Sequence, residues 1–128
     1  MNSLTTHNIR ISIRSTYQPV HSKPAEALFV HSYEVLIENL GDVVVQLLSR
    51  HWIIQDSNSD ERHVEGDGVV GQQPILAPGE SHQYTSWCPL KTDMGKMHGT
   101  YIMKALETQR EFVVRVPEFN LIAPFKFN

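Results

Sequence analysis

The stretch Tyr101-Ile102-Met103-Lys104-Ala105-Leu106-Glu107-Thr108-Gln109-Arg110-Glu111-Phe112-Val113-Val114-Arg115-Val116 decides the fold. Before its turn, Tyr101, Met103 and Ala105 alternate with Ile102, Lys104 and Leu106. After it, Phe112, Val114 and Val116 alternate with Glu111, Val113 and Arg115. A period of two places alternate side chains on opposite faces of a strand. Two such runs joined by a short polar turn form an antiparallel hairpin.

Working outward, the same period recurs. Ile9, Ile11 and Ile13 alternate with Arg10, Ser12 and Arg14, which describes a half-buried strand. Beyond a loop carrying Pro19 and Pro24, Phe29, His31, Tyr33, Val35 and Ile37 alternate with Ser32, Glu34 and Glu38. The turn residues Asn39-Leu40-Gly41-Asp42 that follow predict a hairpin. Residues 43–55 are apolar on both parities (Val45, Leu47, Ile53 against Val44, Leu48, Trp52, Ile54), as in a central or bulged strand, and their inward face is left open. After the polar turn at 56–60, residues 61–65 predict a short edge strand. Pro78-Gly79 predicts a type II turn, because proline presets the first central φ and glycine accepts the positive second one. The tail from Pro117 through Phe119, Leu121, Ile122 and Pro124 is apolar without a period. No segment has a helical period. Seven or so short strands therefore predict two packed antiparallel sheets: an all-β, immunoglobulin-like or fibronectin type III-like sandwich in one domain, 1–128, with Trp52 filling space between the sheets.

Composition narrows the function. At 128 residues, 41% hydrophobic and 20% charged, the chain suits one ordinary core. A net charge of -3 without clustered Lys and Arg gives no footprint for nucleic acid. Met1-Asn2-Ser3-Leu4-Thr5-Thr6-His7 does not read as a signal peptide, and no apolar run approaches the ~20 residues of a membrane span. The lone Cys88 precludes an internal disulfide and matches a reducing cytoplasm.

The candidate chemistry is sparse. Gly66-Asp67-Gly68-Val69-Val70-Gly71 matches G-x-G-x-x-G, but Gln72-Gln73-Pro74 follows where a dinucleotide site requires a helix. The glycines serve either a tight inter-strand loop or a backbone nest for an anion or partner. Seven histidines (His7, His21, His31, His51, His63, His82, His98) lack metal-ligand spacing, so no metal is assigned. His31, among Phe29, Tyr33 and Val35, reads as a hydrogen-bonded core histidine. Ser86 and Cys88 lack an identifiable base, and Glu61, Glu65 and Asp67 fit a solvated turn, so no catalytic residue, enzyme activity or cofactor is assigned.

Glu38-Asn39-Leu40-Gly41, Leu48-Ser49-Arg50-His51-Trp52, the 66–71 glycines with Pro74, Leu76-Ala77-Pro78-Gly79-Glu80, Tyr84-Thr85-Ser86 and Pro117-Glu118-Phe119 together resemble the ApaG family over nearly the whole chain. The resemblance implies a β-sandwich of the same type. It also implies an association with cobalt and magnesium efflux, and genes that often neighbour a diadenosine-tetraphosphate hydrolase. Similar domains occur within F-box proteins and a DNA-polymerase-interacting protein, which implies a protein-binding module. The family's proposed pyrophosphate-binding motif falls on Gly66, Gly68 and Gly71. His31 and Trp87 depart from the apolar and small residues expected there. The combined expectation is a cytoplasmic, non-enzymatic module with a protein partner. Its contact loop comprises Gly66, Asp67, Gly68 and Gly71, with Arg50, His51 and Trp52 nearby. A sensor of a nucleotide polyphosphate or divalent cation is the alternative, and a homodimer remains open.

Overall fold

The computed structural model describes residues 2–124, so Met1 and residues 125–128 of the expected domain lie outside the described residues. The strands are β1 (Asn2–Thr6), β2 (Ile9–Tyr17), β3 (Phe29–Asn39), β4 (Val45–Asp56), β5 (Glu61–Asp67), β6 (Ile75–Leu76), β7 (Ser81–Leu90), β8 (Met94–Ala105) and β9 (Arg110–Ile122). One sheet has the order β1-β2-β3-β7 and the other β5-β4-β8-β9, with β6 also pairing with β4. Every pairing between strands is antiparallel. Short 3-10 turns lie at Pro19–His21 and Pro24–Glu26. The two sheets pack face to face as an immunoglobulin-like sandwich.

The core forms where the alternation places it. Ile9, Ile11, Ile13, Val35 and Ile37 from one sheet meet Met97, Tyr101, Met103 and Val114 from the other, all buried. Trp52 lies between them, with ring centroids 5.5 Å from Tyr33, 6.1 Å from Tyr101 and 6.2 Å from Phe119. Such edge-to-face contacts suit the positive rim and negative face of aromatic rings. The Tyr84 and Tyr101 hydroxyls meet at 2.5 Å, a buried hydrogen bond that joins the sheets.

The 43–55 run and the tail have one explanation. In β4, Leu47 pairs with Met103 but Ser49 pairs with Ile102, so Leu48 is an extra residue in a bulge. The inward parity consequently changes from Val45 and Leu47 to Trp52 and Ile54. In β9, Val116 pairs with Gly99 and Phe119 with Met97, and the irregularity at Pro117 switches burial from Val114 and Val116 to Phe119 and Leu121. The tail is therefore a strand to Ile122, with a period hidden by the bulge.

The turn at 39–42 corrects a prediction. It does not close a hairpin, because β3 and β4 belong to different sheets. Asn39 organises this crossing. Its buried Nδ2 donates to the carbonyls of Val43 (2.8 Å) and Leu76 (3.0 Å), and its Oδ1 accepts from the Gly41 N–H at 3.0 Å. The type II turn is present, with Gly79 at φ +86° and the Glu80 N–H bonded to the Ala77 carbonyl at 2.9 Å.

On one side the sheets are tied together. Asn2 Nδ2 donates to the Glu118 carbonyl and Ser15 Oγ to the Asn120 carbonyl, both at 2.9 Å. The opposite side is bounded by the edge strands β5 and β7. The glycine loop lies at that open side.

Candidate functional site

The three glycines have three different reasons to be glycine. Gly66 pairs with Arg50, and a Cβ there would stand 3.0 to 3.2 Å from the Arg50 guanidinium, which lies across it. Gly68 has φ +65°, and a Cβ would come within 2.3 Å of the Gln72 carbonyl oxygen. Gly71 has φ +75° with open space around it, so its requirement is backbone conformation alone. Val70 shares the left-handed region at φ +47°, which leaves its side chain exposed at the loop tip.

The loop is anchored to β4. Gly68 N–H donates to the Leu48 carbonyl at 2.8 Å, Gln73 Nε2 donates to the same carbonyl at 2.9 Å, and Val69 N–H donates to the Gln72 carbonyl at 2.8 Å. Two N–H groups that an anion-binding nest would use are thus engaged internally. The loop instead offers carbonyls to Arg50, whose Nη1 donates to Asp67 (3.1 Å) and Gly68 (3.0 Å). Among the described residues, Arg50 forms no ion pair with a carboxylate. Its charge is close enough to act on the Tyr33, Tyr84 and Tyr101 hydroxyls.

Strand geometry divides the expected contact residues. Arg50 and Trp52 share the inward face of β4 beyond the bulge, while His51 faces outward. Trp52 is only 2% exposed and belongs to the core, so its assignment to a contact surface is corrected: a ring packed between two sheets cannot reach a partner. His51 heads a cluster that sequence spacing did not reveal. Its Nε2 lies 2.9 Å from His63 Nδ1 and 3.4 Å from Glu65 Oε1, while His63 Nε2 lies 3.2 Å from Glu61 Oε2. Glu61, His63 and Glu65 alternate along the strand expected over 61–65, and what the sequence did not show is the pairing with β4 that brings His51 onto their face. A cavity of about 480 Å³ on this side is lined by Ser49, His51, Glu65, Asp67, Thr100 and Val113 among others. Among the described residues, no three His, Cys, Asp or Glu side chains are placed to hold a metal ion.

Two core groups correct or sharpen earlier readings. His31 is buried at 1% exposure, but its Nε2 has no hydrogen-bond partner among the described residues, so it is not a satisfied core histidine. Burial lowers its pKa to about 4. Cys88, its partner across the β3–β7 ladder, is buried as well, and desolvation raises its thiol to about 11 despite the nearby Arg62. A neutral imidazole opposite a neutral thiol is the reverse of a reactive thiolate pair. Ser86 hydrogen-bonds with Tyr33.

Two antiparallel sheets, with a left-handed glycine loop held against the open edge by an arginine, define an immunoglobulin-like sandwich with a shaped surface loop. The chain belongs to the ApaG family: a family model described as the ApaG domain matches residues 19–105, more than half of its length. It is 46% identical to Protein ApaG of Anaeromyxobacter dehalogenans over 128 residues, covering all of both chains. It is 44% identical to Protein ApaG of Brucella canis over 124 residues, 97% of this chain and 95% of that one. A crystal structure of an ApaA protein from Bordetella pertussis superposes with a TM-score of 0.87 at 45% identity, covering 91% of this chain and 94% of that chain. The names of these relatives state no enzymatic activity. No helix among the described residues is long and apolar enough to cross a membrane.

Proposed function

We propose that the chain is a cytoplasmic, non-enzymatic binding module, one domain over 1–128, that recognises a protein partner through the 66–71 loop with Arg50 and His51. The observation that carries this reading is the Arg50 guanidinium. It is held against Gly66 by two loop carbonyls and lacks a carboxylate partner among the described residues, so it is oriented with charge to offer. Fixing a cation before binding reduces the ordering cost of the complex. The exposed Val70 at the loop tip adds an apolar contact next to it. The uncharged state favoured for both His31 and Cys88 supports a non-enzymatic role. The ApaG association with cobalt and magnesium efflux is assigned on this reading to the partner's action.

The same cation favours a second reading, in which a nucleotide polyphosphate binds at the loop, since a guanidinium pairs bidentately with phosphate. An amide NMR titration with diadenosine tetraphosphate, ATP, magnesium and cobalt in turn separates the two. The module reading expects the Gly68 and Gly71 signals to stay still. Saturable shifts there at micromolar ligand would replace it with the sensor.

A further inference from the structure

The sheets end unequally at the open side. Trp52 and Ile54 on the inward face of β4 are 2% and 6% exposed. Their partners on β5, Val64 and Arg62, lie on the same face, yet Val64 is 38% exposed and Arg62 is also exposed. The cover is lost because the facing sheet stops at β7. Across this margin Arg62 of β5 still reaches the Pro89 carbonyl of β7.

The two edges at this opening are built differently. Asn39 N–H bonds to the Glu80 carbonyl, which sets the ladder so that residues 82, 84, 86, 88 and 90 of β7 direct their backbone groups to β3. Gln83, Thr85 and Trp87 therefore direct theirs outward, and no hydrogen bond to the described residues occupies them. Pro89 agrees with this register: it has no N–H to lose at an edge, and its carbonyl accepts from Arg62 Nη2. The side chains of the outward-directed residues of β5, namely Glu61, His63, Glu65 and Asp67, are all charged or titratable, as on an edge protected against pairing. On β7, Gln83, Thr85 and Trp87 are uncharged, and Trp87 is 50% exposed.

A strand added to β7 would lay its inward side chains over Arg62, Val64 and Gly66, which succeed one another along one face of β5. The Arg50 guanidinium covers Gly66. The receiving face is therefore an apolar spot flanked two residues away on each side by an arginine. Neither arginine forms an ion pair with a carboxylate among the described residues. We infer that the free edge of β7 takes up an extended segment of an acidic protein partner, with an apolar residue flanked at positions two before and two after by carboxylates. Backbone pairing supplies affinity and the alternate side chains supply specificity. This inference rests on the binding-module reading and gives its partner a chemistry.

The test uses the full chain and the peptide acetyl-Thr-Glu-Thr-Val-Thr-Glu-Thr-amide, which antiparallel to β7 pairs its threonines with Gln83, Thr85 and Trp87 and turns its Glu, Val and Glu side chains inward. Its amide NMR titration is expected to shift Gln83, Thr85 and Trp87 and to protect their N–H groups from exchange. A peptide with Lys replacing both Glu is expected to bind at least about tenfold more weakly, as for two opposed charge pairs. N-methylation of the threonines beside the valine is expected to abolish binding. Thr85→Pro keeps the fold, because the lost N–H points outward as at Pro89, and is also expected to abolish it. Equal binding of the Glu and Lys peptides, or no shift at the three amides, overturns the inference. Shifts confined to Gly68 and Gly71 overturn the edge assignment but leave the loop reading standing. Shifts at Gln83, Thr85 and Trp87 that grow with protein concentration alone identify the occupant as a second copy and also overturn it.

Discussion

Gly68 and Gly71 look alike in sequence and differ in consequence. At Gly68 an added methyl meets the Gln72 carbonyl oxygen at 2.3 Å as well as a positive φ, whereas Gly71 has only the φ. Gly68→Ala is expected to cost about 3 kcal/mol or more through backbone displacement, and Gly71→Ala about 1 kcal/mol. Urea denaturation of the two variants checks the ordering, and equal losses would remove the packing argument. His31 supplies a pH dependence whose direction follows from its burial. The folded imidazole titrates at about 4 and the ordinary value is 6.5, so between these pH values the unfolded chain binds more protons. The stability linked to neutral His31 is intact above about pH 6.5 and is lost as the pH falls toward 4, by up to about 3 kcal/mol. His31→Phe is expected to flatten that portion of the profile. Parallel profiles for the variant and the native chain would show that another group is responsible.

At the scale of elements, legibility followed the continuity of alternation. The hairpin of β8 and β9 could be read because its period runs unbroken from Tyr101 to Ala105 and from Phe112 to Val116. The inward face of β4 could not, since the bulge at Leu48 puts apolar residues on both parities, and the Pro117 irregularity disguised the end of β9 in the same way. β1 carries no signal because Asn2, Ser3, Leu4 and Thr5 are all exposed. The 39–42 turn misled because turn chemistry does not say which sheet the next strand joins. Gly68 and Gly71 of the candidate site were legible for their backbone freedom, and Gly66, which makes room for Arg50, was not. Arg50's role was not, since it depends on carbonyls 17 and 18 positions away. The Leu48 bulge also holds the loop through its carbonyl. Deleting Leu48 would rotate either Val45 and Leu47 or Trp52 and Ile54 to the wrong face. The deletion variant is expected to lose the cooperative thermal transition followed by circular dichroism, while Leu48→Ala retains it. A cooperative deletion variant would contradict the assignment of the bulge.

For the molecule as a whole, one side of the sandwich is tied between β1, β2 and β9, and on the other, between β5 and β7, Arg62 reaches the Pro89 carbonyl while Val64 stays exposed. The core contributions of Trp52, Tyr84 and Tyr101 hold the sheets in register behind that side, so the loop and Arg50 are presented from a rigid base. The most direct test of the binding-module account is quantitative capture from a bacterial lysate. It compares the native chain with Arg50→Gln and Gly71→Asp, each first shown to unfold cooperatively. The account expects a saturable protein partner whose recovery falls at least about tenfold with either substitution, the loss of a few well-oriented contacts being enough. Undiminished recovery by both folded variants would contradict it and place the working surface elsewhere on the sandwich.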